Sequence, residues 1–166
     1  MARTDPRIGL LLEILDQNFD GRSWVGTTLW GALRGLTPRE LLWRPSPRRH
    51  CIWEEALHAA YWKYAVRRRI EGGSRGAFPR RPSNWPKLPA RPDAKAWKAD
   101  LALLAAEHRA LHEVVARLSP KRLRERSPRK TWTLSDQIHG VAAHDVYHTG
   151  QIQLIKKLGA KRGGRR

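Results

Sequence analysis

His144 and His148 stand four residues apart in the segment His144-Asp145-Val146-Tyr147-His148-Thr149-Gly150-Gln151. On an α-helix that spacing turns about 40° around the axis and rises about 6 Å, so both imidazoles share a face and can reach one cation. His58 lies in an earlier helical stretch. Neutral imidazole is the commonest metal ligand, and three protein ligands leave one position of a tetrahedral zinc open for water or substrate. A metal with such an opening lowers the pKa of a bound water or thiol and generates a nucleophile near neutral pH. Packing also produces histidines four apart, so the elements that carry them must decide between the two readings.

Those elements read as helices. Asp5-Pro6 is a cap followed by proline at the first helical position, and Ile8, Leu11, Leu12 and Leu15 repeat at helical spacing. The pattern is expected to continue through Phe19, Val25, Leu29 and Leu33 to Gly35. Thr37-Pro38-Arg39-Glu40 is a capping box that opens a short connecting helix through Leu41 and Leu42. A second long helix is expected over 52–70, with Trp53, Leu57, Tyr61 and Tyr64 on an apolar strip and His58, Trp62 and Ala65 beside it. Gly72-Gly73 stops it. Residues 74–92, rich in proline, glycine and arginine, form a long crossover or a mobile loop. Asp93 caps a third helix with Trp97, Leu101, Leu104, His108, Leu111, Val115 and Leu118 on its stripe, ended by Ser119-Pro120. Thr133, with Asp136 at the third position, caps a fourth, in which Leu134, Ile138, Val141, His148, Ile152 and Ile155 are the buried stripe. Gly159 is expected to close it. No strand is expected. Four amphipathic helices with one crossover define an all-α four-helix bundle spanning 1–159, followed by a disordered basic tail, 160–166.

Bundle interiors house metal sites built from inward-facing side chains on different helices. His58, His144 and His148 suit that geometry, with Asp145 or Glu54 available to orient a ring N–H and Gln151 one turn beyond His148. Other histidines compete for the role. His108 and His112 are also an i, i+4 pair, but His108 falls on an apolar stripe where a packed histidine suffices. His139 lies about 140° from His144 around the helix, too far to share its ion, and His50 precedes its helix. Cys51 reads as a small buried or capping residue. Of the eight tryptophans, Trp24, Trp30, Trp53, Trp62, Trp97 and Trp132 read as core or dimer contacts. Trp43 and Trp85 sit beside prolines in basic loops and read as anchors of those loops, with a pocket mouth or a base-stacking role as alternatives.

Composition sets the outer bounds. The 166 residues make one ordinary domain, and the 33 Lys and Arg against 15 Asp and Glu give a formal charge of +18. A surplus of that size attracts polyanions, but it is scattered over helix ends, loops and the terminus, so nucleic acid is a secondary reading. With one cysteine, no signal-like opening and no apolar run long enough to span a bilayer, a cytoplasmic protein without membrane attachment is expected.

The stretch from Trp132 to Gln151, with its H-x3-H-x-G-Q pattern, resembles the C-terminal helix of the DinB family. Gly35-Leu36-Thr37-Pro38-Arg39-Glu40-Leu41 and Trp53-Glu54-Glu55-Ala56-Leu57-His58 are similar to that family's first turn motif and first metal-histidine helix, in the same order along nearly the whole chain. The resemblance implies a four-helix bundle in which His58, His144 and His148 bind a divalent metal, zinc or nickel, often in a homodimer. It further implies a small-molecule substrate and a metal-dependent transferase of low-molecular-weight thiols or a related isomerase; a hydrolase is the other enzymatic expectation. No general acid or base follows from it. Two other readings remain open: a noncatalytic, stress-linked or nucleic-acid-binding bundle, and a structural metal that ties two helices together.

Overall fold

The computed structural model describes residues 4–73, 77–126 and 131–163, with side chains through Ala160. Its helices are α1 (Pro6–Phe19), α2 (Leu29–Leu33), α3 (Pro38–Leu42), α4 (Ile52–Ile70), α5 (Ala94–Ala116) and α6 (Leu134–Gly163), with a 3-10 turn at Pro120–Arg124. No strand occurs among the described residues; an isolated bridge joins Arg126 to Thr133.

The long helices form the expected bundle. α4 packs against α5 and α6, and α1 against the same two, so each long helix touches two others. Hydrogen bonds from Trp53 to Asp100 and from Arg67 to Glu107 show α4 and α5 running the same way. Pairs of His58 with His144 and of Arg69 with Gln137 show α6 running opposite to α4. Two successive parallel helices require the chain to return the full length of the bundle, which is the work of the crossover after α4. Its described part is pinned: Phe78 is buried against Tyr61 and Tyr64, and Arg80 pairs with Asp100. Residues 74–76 of that expected crossover lie outside the described residues.

Local signals explain most boundaries. Asp5 accepts from the Arg7 backbone N–H, Thr37 and Glu40 cap each other reciprocally, and Thr133 with Asp136 does the same at the start of α6. Two expected boundaries are corrected. The first helix stops at Phe19, because Asp20 ends the ladder and the chain turns through Gly26 at φ 105° before Thr28 caps the separate α2. That φ lies where side-chain-bearing residues are disfavoured. At the other end, α6 runs through Gly159 to Gly163. Gly159 serves close approach instead: a Cβ there would sit 3.3 Å from the Trp43 ring, which packs on the bare backbone. The expected disorder of 160–166 lies largely outside the described residues.

The core divides in two. One apolar cluster gathers Leu29, Leu33, Leu41, Ile52, Trp53, Leu57, Leu104 and Ile152, and the other Ile8, Leu15, Val66, Ile70, Leu111, Val115 and Ile138. On α4, α5 and α6 alike, polar side chains lie between the clusters: His58 and Lys63, Glu107 and His108, and His144, Asp145, His148 and Thr149. A polar layer therefore crosses the bundle at mid-height. The expected stripe of α6 is buried at Leu134, Ile138, Val141, His148, Ile152 and Ile155. Trp53 and Trp97 are core residues as expected, whereas Trp24 is 95% exposed in the α1–α2 loop and Trp132 is 65% exposed, so neither fills the core.

Candidate metal centre

Within the polar layer, α4 contributes His58 and α6 contributes His144 and His148, and one ring nitrogen of each lies within 4.8 Å of the others. The His144 Nε2 stands 3.1 Å from the Nε2 of His58 and 3.0 Å from that of His148. His58 and His148 are buried and His144 is half-buried.

The outer nitrogens reveal which way these rings are protonated. The His58 Nδ1 lies 2.5 Å from the Asn84 carbonyl oxygen, which can only accept, so the proton sits on Nδ1. The His148 Nδ1 faces the Glu55 carboxylate, again an acceptor. Both rings therefore direct Nε2 lone pairs at the His144 Nε2. A single proton on His144 could satisfy only one of them, leaving the other contact as lone pair against lone pair. A cation resolves the conflict for all three. Nitrogens about 2.0–2.1 Å from a tetrahedral zinc lie about 3.3 Å from one another, close to the two separations that His144 makes. The donor set suits a divalent metal ion bound through imidazole nitrogens.

Electrostatics favour the ligating form. Burial pushes the His58 imidazole down to about 4 and the His144 imidazole to about 3, with the neighbouring histidines adding to the effect. His108, away from this cluster, is pushed by burial to about 2. Histidines held neutral in the fold but free to protonate when unfolded make stability fall with acid. The unfolded chain takes up protons as pH drops below about 6.5, while the folded one resists until about 4 or lower. Metal-free protein is expected to lose up to about 1.4 kcal/mol of stability per pH unit for each such histidine across that window. Urea denaturation at pH 7.0 and 5.0 checks this; an unchanged midpoint would contradict the buried neutral state.

Several supporting residues were not legible from sequence. Asp145 and Glu54, the expected partners of the ring N–H groups, do other work: Asp145 is paired with Lys63 in full burial, and Glu54 binds Arg44 and the Cys51 backbone N–H. Glu55 holds a ring N–H instead, that of His148, and stands one helical turn before His58 on the same face of α4. Asn84 supplies the other acceptor through its backbone. Its neighbour Trp85 lies flat between two imidazoles, with centroids 3.6 Å from His50 and 3.8 Å from His58. That places Trp85 as a loop anchor at the site itself and makes His50 a stacking partner.

The competing candidates fall elsewhere. His108 stacks on Phe19 at 3.8 Å, and His112 lies 3.3 Å from Asp16, so this pair joins α5 to α1. Cys51 is fully buried at the start of α4, and burial raises its thiol to about 11, which leaves it a poor nucleophile. His139 is exposed, on the rim of a cavity of about 770 Å³ that reaches His58 and His144. A second cavity of about 440 Å³ touches His148, Glu55, Trp85 and Gln151 from the other side. The histidines thus stand between two openings, and Trp43 lines neither.

An antiparallel pair of helices that gathers three imidazoles from an i, i+4 pair and one facing helix is compatible with metal binding inside a helical bundle. A family model described as the DinB superfamily matches residues 23–152, and the chain belongs to that superfamily. No curated protein and no solved structure matches it significantly. No described helix is long and apolar enough to cross a membrane.

Proposed function

We propose that the protein is a divalent-metal-dependent enzyme in which His58, His144 and His148 hold zinc or nickel with one coordination position left open. The observation that carries this reading is the convergence of three Nε2 atoms, where one ring proton on His144 serves only one of its two contacts. A bound metal would supply Lewis acidity and lower the pKa of a thiol or water. The chain's own part is to fix the imidazoles through Glu55 and the Asn84 carbonyl, and to offer a cavity of about 770 Å³, within the range of small-molecule sites. The reaction class is transfer of a low-molecular-weight thiol to a small electrophile, with metal-assisted hydrolysis as the second reaction. Zinc- and nickel-loaded protein is assayed for consumption of free thiol in the presence of epoxide and unsaturated-acid electrophiles. Metal-dependent loss of thiol is expected; uptake of either metal without any turnover favours a structural ion.

The proposed state is a homodimer in the cytoplasm. Tyr147, Leu154 and Leu158 lie along one exposed strip of α6, and an apolar helix strip open to water favours a partner. Sedimentation equilibrium is expected to give twice the chain mass and, for Tyr147→Arg, the single mass; a monomeric wild type removes the dimer. The charge of +18 attracts polyanions in general, but it is spread over helix ends, loops and the terminus, so nucleic acid stays the secondary reading.

A further inference from the structure

The larger cavity is a groove between α4 and α6 with different chemistry at its two ends. Along α4 it is lined by His58, Trp62, Val66 and Arg69, which recur on one helical face. Along α6 it is lined by His144, Val141, Gly140 and Gln137, again on one face. Because the helices are antiparallel, His58 faces His144 at one end and Arg69 faces Gln137 at the other. Seven residues of α6 separate those ends, a length of roughly 10 Å. Between them Trp62, Val66 and Val141 make the lining mainly apolar, with His139 on its rim.

Arg69 differs from its neighbours in what balances its charge. Arg67 pairs with Glu71 and Glu107, and Arg68 pairs with Glu71. Among the described residues, no carboxylate pairs with Arg69. Its guanidinium lies over the Trp62 ring at 5.5 Å and donates to the neutral Gln137 Oε1 at 3.2 Å. Gln137 is held in that orientation by donating its own amide N–H to the Trp132 and Thr133 carbonyls. The remaining carboxylate on the groove wall, Asp136, is committed to the Thr133 hydroxyl and backbone N–H. A half-buried fork with an unbalanced charge at the end of an apolar groove is suited to a planar carboxylate. One guanidinium beside Asp136 is poorly matched to a dianionic phosphate.

We propose that this groove binds an elongated, mainly apolar monocarboxylate, with its carboxylate on Arg69 and its opposite end at the three histidines. This deepens the enzymatic reading above by naming the substrate class of that same site. Gly140 offers a second handle on the groove. It lies mid-helix on the lining, and a Cβ added there meets nothing within 4 Å, so a larger side chain would extend into the groove rather than into the protein.

The test uses the full chain, zinc-loaded and zinc-free, with 4-phenylbutyrate and its uncharged amide as calorimetric probes. Wild type is expected to bind the carboxylate at least ten-fold more tightly than the amide in both forms. Arg69→Gln should erase that preference, Arg69→Lys should keep part of it, and Gly140→Leu should weaken both probes at least ten-fold. Zinc uptake should be unchanged in all three variants, which shows that they fold. Equal affinity of wild type for the two probes overturns the proposal. So does a preference that survives Arg69→Gln, or one that is absent from the zinc-free protein, since the metal would then be holding the anion. If wild type takes up no zinc yet keeps an Arg69-dependent preference, the groove assignment stands and the metal reading falls.

Discussion

Replacing His148 with alanine is expected to weaken zinc binding by at least two orders of magnitude while leaving the helical content unchanged. His148 supplies one of three converging nitrogens, and its loss leaves His58 and His144 as a two-ligand site. The expected loss exceeds the about 10–100-fold typical when an outer partner of a ligand is removed. That smaller range is the expectation for Glu55→Ala, because the Glu55 carboxylate holds the His148 Nδ1 proton and directs the opposite lone pair inward. Glu55→Gln, which keeps an acceptor oxygen but not the charge, should fall at the lower end. Competition titrations against a chromophoric chelator rank the variants. Should His148→Ala bind zinc as tightly as wild type, the three imidazoles are not the ligand set.

Replacing Lys63 with methionine should cost about 3–5 kcal/mol of folding stability. Lys63 and Asp145 are both fully buried, and their ion pair joins the two helices that carry the histidines. The Lys63 ammonium also lies 4.8 Å from the Phe19 ring centroid. Taking away one partner leaves a carboxylate in the polar layer without its counter-charge. The cost arises from that stranded charge rather than from the loss of a strong attraction, since a buried pair gains little over well-packed apolar groups. The double variant Lys63→Met with Asp145→Leu is therefore expected to recover most of the loss. A domain is stable by only about 5–15 kcal/mol, so the single variant should melt visibly earlier in guanidinium. A Lys63→Met midpoint equal to wild type would remove the account.

The contrast between what was legible and what was not follows from the range of the forces involved. Helix starts at Pro6, Pro38, Ala94 and Leu134 are set by capping groups within three residues, and the sequence displays them directly. The face shared by His144 and His148 is equally local. Gly159 misled because a glycine after an apolar stripe can either end a helix or admit a ring against its backbone, and only the distant Trp43 decides. The partners of the ring N–H groups were hidden for the same reason. Asp145 is adjacent to a histidine in sequence but points to Lys63, while Glu55 meets His148 across 93 positions. The crossover tip that carries Asn84 and Trp85 has no periodicity to read, so its approach to His58 emerges only from the packed bundle.

The acceptor that orients His58 is a main-chain oxygen at a residue whose φ is 73°. No side-chain substitution at position 84 can delete a carbonyl. What position 84 must supply is a residue tolerant of the left-handed backbone, a short list headed by glycine and asparagine. The aim of this imidazole is accordingly protected against most point changes in the crossover and vulnerable to insertions or deletions there, which shift the carbonyl bodily. Diversification of the loop by residue exchange can reshape the neighbouring cavities while the ring keeps its bearing.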